Sequence, residues 1–267
     1  LYEHQVNGRL AAVSNPLEKL TLKLLYGSAF KAPSPYLMFA VPYRSGDIQG
    51  NPSLKPQQVH TIEGQAGYRF GSNTNVFLNL STGLSYSLLL DKAEFVRQGI
   101  NTVPQNLARV GTLTWETETR AGFKDYFSGY LRSELLYVVR DSGQRGFQAR
   151  LSDWRNVIYP PYIVRVGAQG TVPPVPARVS VEAAFVGPRR SSDMNTLENG
   201  SAYELPFYPM LDASISSVGL QLIEDRETQL SFTAKNILSE NGPDPGYSGI
   251  DYPLRPRIFY ISLGQQF

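Results

Sequence analysis

Between Val76 and Leu90 the sequence alternates with a period of two, and few folds accommodate that pattern over such a length. One parity reads Val76, Leu78, Leu80, Thr82, Leu84, Tyr86, Leu88 and Leu90; the other reads Phe77, Asn79, Ser81, Gly83, Ser85, Ser87 and Leu89. Successive side chains of a pleated strand point to opposite faces, so the segment is a strand with one greasy face and one small, polar face. Strands of soluble proteins usually run about five or six residues. A strand this long with one apolar face suits a wall that separates lipid from water.

Comparable segments recur along the whole chain. Strands are expected near 2–13, 18–30, 57–70, 74–90, 105–121, 124–140, 158–172, 176–188, 206–222, 226–238 and 254–267. The connections alternate in length. Short ones are Ser14-Asn15-Pro16-Leu17, Gly71-Ser72-Asn73, Gly122-Phe123-Lys124, Val172-Pro173-Pro174-Val175 and Glu224-Asp225-Arg226. Long ones span about 31–56, 91–104, 141–157, 189–205 and 239–253 and are rich in Gly, Pro, Asn, Ser and Arg. Short turns at one rim and long loops at the other are the habit of outer-membrane barrels.

No apolar run approaches the roughly 18 residues of a spanning helix, and a transmembrane barrel needs none, because it hides its apolar surface in alternation. Tyrosine and phenylalanine are common, at 16 and 13 residues, and twelve of them lie at strand ends. Tyr68, Phe70, Phe77, Phe123 and Phe127 flank short turns; Tyr137, Tyr159, Tyr162, Phe185, Phe207, Tyr208 and Phe259 flank long loops. Amphipathic rings favour the headgroup level, so two girdles are expected. The formal net charge is +2 with no lysine or arginine cluster, which gives no footing for nucleic acid. There is no cysteine, and His4 and His60 are the only histidines, so neither a zinc site nor another cofactor is expected.

The last strand sets the orientation. Phe259, Ile261, Leu263 and Phe267 share a face, and the chain ends on Phe267. A terminal aromatic on an amphipathic strand resembles the signal read by the barrel assembly machinery. With that end in the periplasm, all five long loops lie outside and the strand count is eleven. Bacterial barrels normally have an even number, and unpaired edges in lipid are costly. The fold expected is therefore all-β: an antiparallel transmembrane β-barrel of which 1–267 supplies about eleven C-terminal strands of a probable 22, with no plug domain. Partner strands would lie upstream or in another chain.

Four stretches resemble a known family, the TonB-dependent outer-membrane receptors. Tyr26-Gly27-Ser28-Ala29-Phe30-Lys31-Ala32-Pro33 resembles the family's Y-G-x-A-F-R-A-P strand end. Gly50-Asn51-Pro52-Ser53-Leu54-Lys55-Pro56 resembles its G-N-P-x-L-K-P-E element, with Gln57 in place of the usual Glu. Lys235-Asn236-Ile237-Leu238 is similar to its penultimate-strand x-N-L-F-D segment, with Ser239 for Asp. Arg257, preceded by Pro256 where glycine is common, opens a stretch resembling its closing strand. The resemblance implies TonB-energised uptake of a scarce nutrient, such as a ferric siderophore or similar metal chelate. The implied partners are the N-terminal barrel half and plug, the TonB complex, and outer-membrane lipid with lipopolysaccharide.

Ligand contacts are expected in the long loops. Tyr36, Tyr43 and Arg44, Trp154 with Arg155, Arg189 with Arg190, and Tyr247 combine forked cationic donors with flat stacking surfaces. The same residues would also serve as solvated loop side chains or as contacts to lipopolysaccharide phosphates. Parity assigns Glu116, Glu118, Arg132, Glu134, Arg165, Arg178 and Glu182 to the lumen and Arg109 to the greasy face near the outer rim. His4 and His60 fall on the lipid-facing parity of separate strands, no serine has a base partner, and Gly-x-Ser-x-Gly is absent, so no enzyme is expected. A structural or docking subunit of an envelope complex, or a split barrel closed by another chain, is the alternative reading.

Overall fold

Alternation of this kind produces long strands and little else. The computed structural model of the chain describes residues 5–44, 47–71, 75–124, 126–141, 158–171, 175–191, 197, 202–223, 226–246 and 251–265. In chain order the elements are β1 (Arg9–Leu17), β2 (Leu20–Lys31), a short helix α1 (Pro35–Phe39), β3 (Gln57–Phe70), β4 (Val76–Gln98), β5 (Asn101–Phe123), β6 (Phe127–Asp141), β7 (Tyr162–Thr171) and β8 (Ala177–Val186). There follow β9 (Arg189–Arg190), β10 (Glu204–Leu205), β11 (Tyr208–Ser217), β12 (Thr228–Lys235), β13 (Pro243–Asp244), β14 (Tyr252–Pro253) and β15 (Ile258–Gln265). Eleven strands form one sheet in the order β1-β2-β3-β4-β5-β6-β7-β8-β11-β12-β15, as the eleven amphipathic segments required. The pairs β9–β10 and β13–β14 are two-stranded ribbons within connections.

Expected boundaries are corrected at three places. The first strand, read as 2–13, runs Arg9–Leu17, because its register shifts between Ser14 and Leu17 and absorbs Asn15 and Pro16 as an irregularity. A proline that cannot donate to the ladder is tolerated at such a bulge. The connection expected over 91–104 is not a long loop. Both strands continue through it and meet at Gly99 and Ile100, with Gly99 at φ +62°. A left-handed residue is what a tight hairpin requires, and glycine supplies it without steric cost. In the other direction, the strand read as 206–222 ends at Ser217, and Gly219 at φ +67° turns the chain away.

The chain divides into two compact units, one drawn from 1–66, 83–115 and 136–154 and the other from 67–82, 116–135 and 155–267. In the second unit the register can be followed across six strands. Leu131 faces Val166, and Val166 faces Ala183. Ala183 faces Leu211. Two rows on, Val179 faces Ile215, Ile215 faces Phe232, and Phe232 faces Ile261. Directly opposed residues share a face, so one side of the sheet is a continuous apolar surface. Leu131, Val166, Ile215, Phe232, Phe259, Ile261 and Leu263 are all exposed on it, Ile261 at 78%. Hiding such a side chain from water is worth roughly 1.5–3 kcal/mol. A surface of this extent is untenable in water and suited to lipid.

The opposite side carries the hydrogen-bonding and charged groups, with Ile163, Val186 and Met210 among them toward one end. Ser180 and Ser214 join hydroxyls at 2.7 Å, Gln169 donates to Ser128 at 3.0 Å, and Lys235 pairs with Asp212 at 2.8 Å. In the first unit, Thr61 and Ser87 meet at 2.8 Å on the polar parity of β4. The Tyr26 hydroxyl bonds His60 Nδ1 at 2.9 Å, on the apolar parity expected for that histidine.

Candidate functional site

The two units carry separate candidate regions, each built from connections at the strand ends.

In the first unit the β2–β3 connection is a folded strap. Ser34 caps α1, accepting from Leu37 N–H at 3.3 Å, and Pro35 occupies the first turn, where its missing N–H costs nothing. Gly50 then donates its N–H to Ala40 O at 2.8 Å. A Cβ at Gly50 would stand 2.6 Å from backbone atoms of Met38 and Ala40, so only glycine permits this approach. Asn51 donates its side-chain amide to Pro104 O at 2.9 Å, and Leu54 is buried.

The strap is laid along the start of β5. Ile48 forms a parallel bridge with Thr102, Gln49 N–H reaches Thr102 O at 2.9 Å, and Thr102 N–H reaches Asp47 O at 3.0 Å. Asn106 completes the join. Its Oδ1 accepts from Lys55 N–H at 2.7 Å, and its Nδ2 donates to Lys55 O at 3.0 Å and to Asp91 O at 2.6 Å. The Gly-Asn-Pro-x-Leu-Lys-Pro stretch is thus a pin that fastens a loop to a neighbouring hairpin. What it displays are three of the expected site residues. Asp47 Oδ2 takes the N–H groups of Tyr43 at 2.9 Å and Arg44 at 2.6 Å, while the Tyr43 side chain is 90% exposed and Tyr36 and Arg44 are exposed as well.

In the second unit Arg189 occupies a different environment from the one its sequence context suggested. It is 4% exposed. Its Nη2 forms an ion pair with Asp244 and donates to Pro243 O at 3.4 Å and the Tyr208 hydroxyl at 3.5 Å, and its guanidinium lies 5.3 Å from the Tyr208 ring centre. The group is engaged by protein and is not offered to solvent. Arg190 is half-buried beside it and pairs through its backbone with Glu204. Trp154, Arg155, Tyr247, Phe267 and His4 lie outside the described residues. Phe259, Ile261 and Leu263 stand together on the apolar face of β15.

The polar face of the second unit holds the charged residues that parity assigned to it. Glu118 sits between Arg120 and Arg132 and pairs with both. Tyr130 donates its hydroxyl to Glu182. Arg132 and Arg165 are directly opposed in the β6–β7 register. Such a face solvates a polar interior. Among the described residues no group of three His, Asp or Glu gathers as a metal site. Asn106, which fastens the strap in the first unit, and Asp244, which pairs with Arg189 in the second, were not singled out from sequence. Nothing in their local context marks them, since both act on partners far away along the chain.

No protein-family model matches the sequence, and no curated protein matches it. Solved structures do. The pyoverdine outer-membrane receptor FpvA from Pseudomonas aeruginosa, bound to pyoverdine, aligns over 97% of this chain with a TM-score of 0.69 and 14% identity. The ferric-catecholate import receptor Fiu from Escherichia coli K12 aligns over 96% with a TM-score of 0.65 and 13% identity, and the copper transporter OprC over 96% with 0.67 and 12%. The alignments cover 36%, 34% and 38% of those chains, so this chain spans about a third of their length. Its fold is that of the β-barrel of outer-membrane receptors.

Proposed function

We propose that this chain is the C-terminal half of an outer-membrane receptor barrel of about 22 strands, serving TonB-energised uptake of a scarce nutrient such as a ferric siderophore or a related metal chelate. The observation that carries the reading is the two-sidedness of the sheet. An unbroken apolar face runs over Leu131, Val166, Ile215, Phe232 and Ile261, and a hydrogen-bonded, ion-paired face runs over Glu118, Arg132, Glu182 and Asp212. Lipid takes the first and an aqueous or plugged lumen the second. The shared fold with receptors for ferric and copper cargo supports uptake over catalysis, by analogy of fold. The plug, the N-terminal barrel strands and the TonB complex are the partners this role needs, and the barrel assembly machinery would insert the product.

Tyr36, Tyr43 and Arg44 are the ligand contacts we favour, because the strap holds them rigidly and leaves their side chains free to stack on and pair with an anionic chelate. The test is uptake by cells producing the full-length gene product, supplied with radiolabelled ferric chelates, with and without TonB. Accumulation that requires TonB and falls when Tyr43 and Arg44 are both replaced by alanine supports the proposal. An inserted barrel with no energy-dependent uptake of any chelate would instead make the chain a structural or docking subunit.

A further inference from the structure

We infer that buried Arg189 is a latch that makes the β8–β11 and β12–β15 connections one mechanical body, so that displacement of either is transmitted to the other. The inference rests on loop geometry and does not depend on which cargo the barrel takes.

Each connection folds back on itself. In the first, β9 pairs with β10, Ser191 N–H donates to Tyr203 O at 2.8 Å, and Leu205 is 2% exposed. In the second, β13 pairs with β14, and Leu254 N–H donates to Gly242 O at 3.2 Å. Two such short ribbons have little stability of their own. What joins them is a buried arginine on a half-exposed carboxylate. Arg189, from the first, reaches the carboxylate of Asp244 and the carbonyl of Pro243 on the second, with the Tyr208 ring beneath it. Its Nε is buried with no hydrogen-bond partner, so the guanidinium is held by the contacts of its other end. Tyr203 adds a second tie, donating its hydroxyl to Asp251.

A buried arginine deprived of its carboxylate leaves an uncompensated charge, so the pair persists or opens as a unit. Opening therefore frees both ribbons together. This places Arg189 among the residues that set loop mechanics, and leaves ligand contact to the residues that are exposed.

The test is amide hydrogen exchange on the full-length protein in detergent, comparing wild type with Arg189→Met and with Asp244→Asn. The latch predicts that either substitution speeds exchange at Ser191 and at Leu254 in step, by about ten- to a hundredfold. The double variant should be no faster than the single ones. Arg189→Met guards against misfolding, since it nearly keeps the side-chain length and removes the charge that Asp244→Asn leaves unpaired. Acceleration confined to the loop that carries the substitution would overturn the inference. Loss of uptake with unchanged exchange would count against it too, while coupled exchange in a barrel that imports nothing would leave it standing.

Discussion

Tyr130 lies across Gly167, its direct partner in the β6–β7 register, and sends its hydroxyl on to Glu182, the residue opposite Gly167 on β8. One side chain thus ties three strands on the polar face. The glycine leaves the space the ring fills, since a Cβ there would run into the ring. Gly122 beneath Phe77 and Gly187 beside Tyr162 repeat the device. Replacing Gly167 with valine should cost about 1–3 kcal/mol through overpacking, and Tyr130→Phe about 1 kcal/mol through the lost hydrogen bond. Urea unfolding of the full-length protein, followed by tryptophan fluorescence, checks both.

Gly50 is the tightest backbone approach in the β2–β3 strap. Gly50→Ala should push the strap off α1 and expose the connection. Limited proteolysis on intact cells should then cut between residues 32 and 56, where the wild type resists. Resistance equal to the wild type would mean that the strap does not depend on this contact.

Asn236 ends β12 at φ +51° and is 1% exposed. Its Nδ2 donates to Glu240 O at 2.9 Å and Arg255 O at 2.8 Å, and its Oδ1 accepts from Glu240 N–H at 3.0 Å. It tolerates the left-handed region and replaces the ladder where the strand stops. Asn236→Ala should destabilise by about 2–3 kcal/mol. Asn236→Gly should recover only the conformational part, and thermal midpoints of the two variants separate the contributions.

Charge should be accepted on one face only. Val181→Arg, on the apolar face, is expected to cost about 2–4 kcal/mol if it lies near the midplane. Ser180→Arg, its neighbour on the polar face, should be close to neutral. Yields of folded protein in outer membranes, measured by heat-modifiable gel mobility, provide the comparison.

The parity of each strand was legible in the sequence, because period-two alternation survives whatever the neighbours are. Hence the faces of Arg132, Glu182, His60 and Ile261 could be read residue by residue. Strand ends were less legible. Residues 91–104 carry loop-like chemistry, yet they extend a hairpin because Asn106 and the strap supply hydrogen bonds from distant segments. The candidate site was legible in part for a related reason. Exposure of Tyr43 follows from its loop, whereas the fate of Arg189 depends on Asp244, which lies in another connection and has no local sign of the pairing.

In an outer-membrane barrel wall the Ile261 face meets lipid and the Ser262 face does not. The direct measurement places a spin label at each position in turn, as cysteine variants of the full-length protein in lipid, and compares its collisions with oxygen and with a water-soluble nickel chelate. These 267 residues hold no cysteine, so within them the label sits only where it is placed. The label at Ile261 should be relaxed by oxygen far more than by nickel, with the ratio falling sharply at Ser262. A label at Ile261 that the nickel chelate reaches as readily as oxygen does would contradict it.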